Sequence, residues 1–212
     1  MNSYDEIDLT NANLKKIVKF GLEVFSNNTI EKVSTNVIVK KAGISRGLLY
    51  YYFKDKEDLF NFLIYFSFKK SVIDIYEDID FKNSDILKRL NNIFLKRLDL
   101  INEYPYILSF TREYVYETME NIKNQKYEHY RDEMYNLNID KTLFINESDI
   151  NNSIKISKWT FAGILEEYVL FTESDKKNIN QTKEELNSYY LSLRRSFYKN
   201  NEENNEKRTM VK

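Results

Sequence analysis

Residues 45–53 read Ser-Arg-Gly-Leu-Leu-Tyr-Tyr-Tyr-Phe, and few runs of nine carry so much hydrogen-bonding chemistry. Arg46 can pair with the O6 and N7 acceptors of a guanine edge. Gly47 carries no side chain that would hold a neighbouring surface away. The phenols of Tyr50, Tyr51 and Tyr52 can donate to phosphate oxygens. Ser34 and Lys56 stand at predicted helix starts, where free N–H groups and the helix dipole attract phosphate. A tyrosine cluster alone serves packing as readily as binding, so the weight falls on its register with Gly43, Ser45, Gly47 and Phe53.

Other chemistry is poorly provided for. The chain has no Cys and one His, His129, with no carboxylate or second His at metal-binding spacing. There is no Glu-x-x-His iron motif and no Gly-rich phosphate loop. These absences predict a protein that is not an enzyme and needs no metal or cofactor. The lack of Cys also suits a reducing cytoplasm. Residues 1–9 are acidic and polar, unlike a secretory signal, and the longest apolar run, 60–68, is too short for a membrane span.

The elements that must hold these groups follow from punctuation. Only 4 Gly and 1 Pro among 212 residues disfavour a many-stranded fold and predict an all-α chain. A first helix is expected over 13–26, with Leu14, Ile17, Val18, Phe20, Gly21, Val24 and Phe25 inward. Ser34 or Thr35 caps a short second helix, and Gly43 ends it as a left-handed residue. Ser45 caps a third helix that buries Leu49 and Phe53. Asp55 caps a long fourth helix carrying Leu59, Phe62, Leu63, Phe66 and Ile73 at helical spacing.

Further helices are expected over 84–103, 106–137 with a break near 123–126, 148–172 and 182–200, with Pro105 separating the first two. The expected division is a DNA-binding head at 10–56, a helical body at 57–200 and a disordered tail at 201–212. Charge follows the same division. Nine Lys and Arg oppose three Asp and Glu between Ala12 and Lys56, whereas the whole chain carries a net −1. A basic module on an acidic body fits a phosphate-binding head attached to something else.

The run Ala42-Gly-Ile-Ser-x-Gly-x-Leu-Tyr-x-Tyr-Phe-x-x-Lys56 closely resembles the DNA-binding head of the TetR family of regulators, over residues 13–62. The resemblance implies a three-helix helix-turn-helix head joined by a long helix to a C-terminal bundle that dimerises through its last two helices. It assigns groove contacts to Arg46, Gly47, Leu48 and Tyr51, and backbone contacts to Ser34, Asn36, Ser45, Tyr50, Tyr52 and Lys56. Leu48 departs from the family, where a small or hydroxyl residue is usual, and Val39 replaces a more usual Ala.

The implied function is a ligand-responsive repressor that binds a palindromic double-stranded operator as a homodimer, away from membranes. The alternative is an architectural or adaptor protein that binds DNA without an effector. Phe94, Arg97, Tyr104, Phe110, Glu113, Tyr114, Glu117, Trp159, Glu166 and Tyr168 could line a pocket for a lipophilic or cationic effector, aromatic faces and carboxylates together suiting a cation. Aromatics at helical spacing serve equally as core. Trp159, Gly163, Tyr168, Tyr189, Tyr190 and Phe197 are candidates for either core or dimer interface.

Overall fold

The computed structural model describes residue 4 and residues 10–115, 125–171 and 178–199. Among these the protein is all-α: the one departure is an isolated antiparallel bridge between Phe144 and Tyr198. The expected tail at 201–212, the break near 123 and Glu117 lie outside the described residues. No helix among the described residues is long and apolar enough to cross a membrane.

The chain forms two compact units, Met1–Glu77 with Asp99–Arg131 and Asp78–Leu98 with Asp132–Lys212. The first unit opens with α1 (Ala12–Ser26), capped by Asn11, whose Oδ1 accepts from the N–H groups of Asn13 and Leu14. A 3₁₀ turn at Ile30–Lys32 leads to α2 (Thr35–Ala42), α3 (Arg46–Tyr52) and α4 (Lys56–Phe68). Leu14, Ile17, Leu22 and Phe25 of α1 are fully buried, as are Ile38, Leu49, Leu59, Phe62 and Leu63 from the next three helices. Gly21 sits where α1 meets α4 closely, and a Cβ there would lie 3.0 Å from a Leu63 methyl, which would have to shift.

Beyond Phe68 the α4 spiral widens into a π segment, Lys69–Ile73, before the short α5 (Asp74–Glu77). This changes which residues face inward. Regular α spacing predicts Ile73 on the buried face, but the extra residue in the turn rotates it to partial exposure and buries Ser71 and Val72 instead. Asp74 draws both Lys69 (2.8 Å) and Lys70 (2.6 Å), which the wider turn brings to one side.

α6 (Ile86–Glu103) ends just before Pro105, and α7 (Ile107–Phe110) runs into a second π segment, Thr111–Val115. Aromatic side chains knit the rest of the first unit. Phe60 lies 5.8 Å from Phe110 and 5.1 Å from Tyr114, and Phe66 lies 5.1 Å from Tyr104. The Tyr114 hydroxyl donates to the Phe25 carbonyl near the end of α1 (3.2 Å).

The second unit contains most of α6, the end of α8 (Gln125–Asn136), α9 (Ile150–Phe171) and α10 (Ile179–Phe197). Phe94 stacks against Phe161 at 5.4 Å, and Leu87, Leu90 and Leu186 are fully buried. Asp85 fastens the C-terminal end of α10 to the start of α6: it accepts from Arg194 and from the Tyr198 hydroxyl (2.9 Å), while the same hydroxyl receives the Leu87 N–H (3.2 Å).

Candidate nucleic-acid interface

The turn between α2 and α3 is built by local rules. Gly43 adopts φ 64° and ψ 37°, a left-handed conformation with a low cost only for Gly, and its N–H returns to the Lys40 and Val39 carbonyls. Nothing lies within 4 Å of where its Cβ would be, so the constraint is backbone conformation and not space. Two residues on, the Ser45 Oγ accepts the Leu48 N–H (3.1 Å) and starts α3. Leu49 is fully buried, and Phe53 sits at the C-cap with its ring 5.0 Å from Phe62. One side of α3 is therefore anchored.

The other side faces solvent. Arg46 and Gly47 are exposed, Tyr51 is 79% exposed, and Leu48 and Tyr52 are half-buried. The space around the Gly47 Cβ position is open, so no packing within the protein requires glycine there. The Arg46 guanidinium lies 5.5 Å from the Tyr50 ring centroid, one turn on, which orients a long side chain that would otherwise be free. The Tyr50 hydroxyl is 3.4 Å from the Thr35 Oγ1 of α2. That hydrogen bond, followed by the Arg46 charge, draws the phenol below its ordinary pKa. Tyr51 and Tyr52 meet edge to face at 5.1 Å.

Ser34, Asn36 and Ser45 are exposed around the same turn, and Ser34 caps α2 through its position without a side-chain bond. Lys56 is placed differently. Its ammonium donates to the Ile30 carbonyl (2.7 Å) and more weakly to that of Glu31 (3.4 Å), pinning the 3₁₀ turn to the start of α4. Lys41 is likewise engaged by Glu23 at 2.7 Å, whereas Arg46, Lys40 and Lys54 have no ion-pair partner among the described residues. Thr35, expected from sequence as an alternative cap to Ser34, instead opens the first turn of α2 with its Oγ1 beside Tyr50. The only sequence signal for that contact is its place after the cap, on the face turned toward α3.

The effector candidates are distributed over both units. Tyr104, Phe110 and Tyr114 are part of the aromatic packing of the first unit, with Glu113 exposed beside them. Burial raises the Tyr104 phenol above its ordinary range and, with Glu113 beside it, pushes that of Tyr114 up to about 12. In the second unit Phe94 and Tyr168 are buried, Arg97 lies over the Phe94 ring at 5.2 Å, and Trp159 and Glu166 face outward on α9. Of the core-or-interface candidates, Tyr168 is core, Trp159, Gly163 and Tyr189 are exposed, and Tyr190 and Phe197 are intermediate.

Residues 17–63 match the family model described as bacterial regulatory proteins, tetR family. Residues 17–63 thus carry a tetR-type head. Within it, 45 residues are 42% identical to the HTH-type transcriptional regulator AcrR of Shigella flexneri, a match covering 21% of this chain and 21% of that protein. The tetR-type head thus accounts for about a fifth of that relative.

Similarity beyond the head is one of fold. The ketosteroid transcriptional regulator KstR2 of Mycobacterium tuberculosis superposes with a TM-score of 0.58 at 14% identity, over 91% of this chain and 98% of that one. A TetR family transcriptional regulator from Chloroflexus aurantiacus gives 0.54 at 15% identity, over 94% and 99%. The tetR-type head and the helices that follow it therefore share one fold with proteins of that family.

Proposed function

We propose that this protein is a DNA-binding transcriptional regulator that grips an inverted-repeat operator as a homodimer, residues 10–56 acting as the reading head and residues 57–200 as the effector and dimerisation body. The observation that carries this reading is α3. Its buried side is locked by Leu49 and Phe53 while Arg46, Gly47 and Tyr51 stand exposed on the other, with no internal packing to explain Gly47. Arg46 and Tyr51, with Gly47 and Leu48, read the major groove, the leucine lying against a thymine methyl. Ser34, Asn36, Ser45, Tyr50 and Tyr52 hold phosphates. Lys56 contributes its charge from a position already fixed by two carbonyls.

Dimerisation suits the second unit. Ile156, Trp159, Gly163 and Leu170 form one exposed stripe along α9, and Tyr189 and Leu191 are exposed on α10. An apolar stripe of this kind on a long helix is what a subunit interface needs. A small effector, lipophilic or cationic, would release the operator by favouring a conformer with the wrong head spacing.

Selection of bound sequences from a random DNA pool tests the reading. An inverted repeat with half-sites about 34 to 36 Å apart, or a multiple of that, is expected. No enriched motif from folded protein would refute it. On the selected site Arg46→Ala should cost about 1 to 3 kcal/mol and relax preference at one position per half-site, seen by competition with single-base variants. An equal loss on every sequence would refute base reading by Arg46.

Gly47→Ala separates function from folding. The open Cβ position and the better helix propensity of Ala predict melting unchanged or raised by up to about 1 kcal/mol of stability. Operator affinity should fall, because the methyl group stands where the backbone approaches the bases. Thermal melting and operator binding on one preparation check both halves, and unchanged affinity would remove Gly47 from the interface.

A further inference from the structure

Within the second unit a cleft of about 260 Å³ lies between residues 78–83 and the first half of α6. Its lining combines Lys88, Arg89 and Lys96 with Asp78 and Asp80, the amides of Asn83 and Asn92, and Ile79, Ile93 and Leu95. Two of these charges are already matched, because Lys96 pairs with Asp78 at 2.5 Å. Arg89 is the unusual one. It is 5% exposed, and among the described residues no carboxylate lies within ion-pairing distance. Asp85, close in sequence, is taken up by Arg194 and Tyr198.

Arg89 hydrogen-bonds only to neutral groups, and the Asp80 and Asp85 charges act on it from beyond ion-pairing distance. Its Nη1 donates to the Leu137 carbonyl (2.6 Å), and its Nη2 to those of Asn83 (2.9 Å) and Asn138 (3.3 Å). The Phe81 ring centroid lies 5.3 Å away, and the buried Nε has no acceptor. A guanidinium withdrawn from water without an anion in contact is costly. The wall beside it is firm, for Asn138 also donates to the Phe81 carbonyl at 2.8 Å. At the rim Lys88 is exposed with no ion-pair partner among the described residues, and neither the Asn83 side-chain NH₂ nor the Asn92 amide donates to a neighbour there.

We propose that this cleft binds a small organic carboxylate, its head held by Lys88, Asn83 and Asn92 over the buried Arg89 charge and its short apolar part against Ile79, Ile93 and Leu95. A carboxylate supplies an anion closer to Arg89 than Asp80 or Asp85, in a site whose donors are already in place, and three apolar residues reward a chain of a few carbons. Asp80, the unmatched carboxylate of the lining, disfavours a multiply charged phosphate. The cleft shares no residue with the exposed stripe on α9 or with the head, so binding to it can be tested whether or not the head reads an operator.

Calorimetric titration of the full chain without DNA, using hexanoate and its neutral isostere hexanamide, tests the proposal. Hexanoate should bind at one site per chain, at least about tenfold more tightly than the amide. Arg89→Gln would also release three backbone carbonyls and risks misfolding, so the deciding variant is Lys88→Glu. That position is exposed in the first turn of α6, where an acidic residue suits the helix dipole, and unliganded melting should be unchanged. Hexanoate affinity should drop about tenfold or more in Lys88→Glu while that for the amide stays put. Equal binding of acid and amide, no binding of either, or a hexanoate affinity indifferent to Lys88→Glu would overturn the proposal.

Discussion

Phe53→Ala is expected to cost about 3 to 5 kcal/mol, enough to abolish the DNA-reading surface without touching it. The Phe53 ring is 1% exposed, packs 5.0 Å from Phe62, and sits at the residue where α3 stops and the chain turns toward α4. Removing it leaves a cavity under the anchored side of α3, and a seven-residue helix cannot stand without that side. Denaturant unfolding should show the loss, and hydrogen exchange should show it concentrated in residues 34–53. Phe53→Leu, which keeps most of the volume, should cost about 1.5 kcal/mol or less. A Phe53→Ala protein as stable as the parent would mean that α3 is anchored elsewhere.

Trp159→Glu should have the second large effect, and on assembly instead of folding. The indole is 65% exposed in the single chain, held only by Lys155 over its face at 4.8 Å, so its loss should change chain stability by no more than about 0.5 kcal/mol. In the proposed dimer it lies in the centre of the α9 stripe, where an aromatic anchor contributes most and a carboxylate would be buried unpaired. Sedimentation should show monomers at concentrations where the parent is dimeric. Operator affinity should fall about 10²-fold or more, because two linked heads become two separate ones. A Trp159→Glu protein that remains dimeric would place the interface elsewhere.

The helix-turn-helix was legible because its determinants are local. Gly43, Ser45 and Asp55 each act on backbone groups within a few residues, and the expected caps are the caps found: Asp55, for instance, receives the Asp58 N–H at 2.8 Å. The long helices were legible from periodicity, with limits shifted by a few residues, as at Ile179 in place of 182. Contacts between distant residues were not.

Lys56 looks like an exposed phosphate-binding cation until the Ile30 carbonyl, 26 residues earlier, is seen to hold it. Tyr4 belongs to a stretch with no periodicity, yet its hydroxyl reaches Asp58 at 2.6 Å and its ring packs 5.5 Å from Phe62. Arg89 reads as one more charged residue of an amphipathic helix, because the carbonyls that bury it come from residues 137 and 138. The aromatic candidates for an effector pocket carried no information on which neighbours they would meet.

The π segment at Lys69–Ile73 also has a bearing on how related sequences line up with this one. A π turn holds one residue more than the α turn it replaces, and its hydrogen bonds run from one residue further away. Deleting one residue there would return the spiral to ordinary α geometry with its bonding intact and leave every later residue of that helix on the face it now occupies. This is the place where a one-residue gap keeps the faces of two such helices in step. An alignment that runs ungapped through residues 69–73 against a relative with a regular helix would pair Ile73 with a core position and misassign the face of every residue to Glu77.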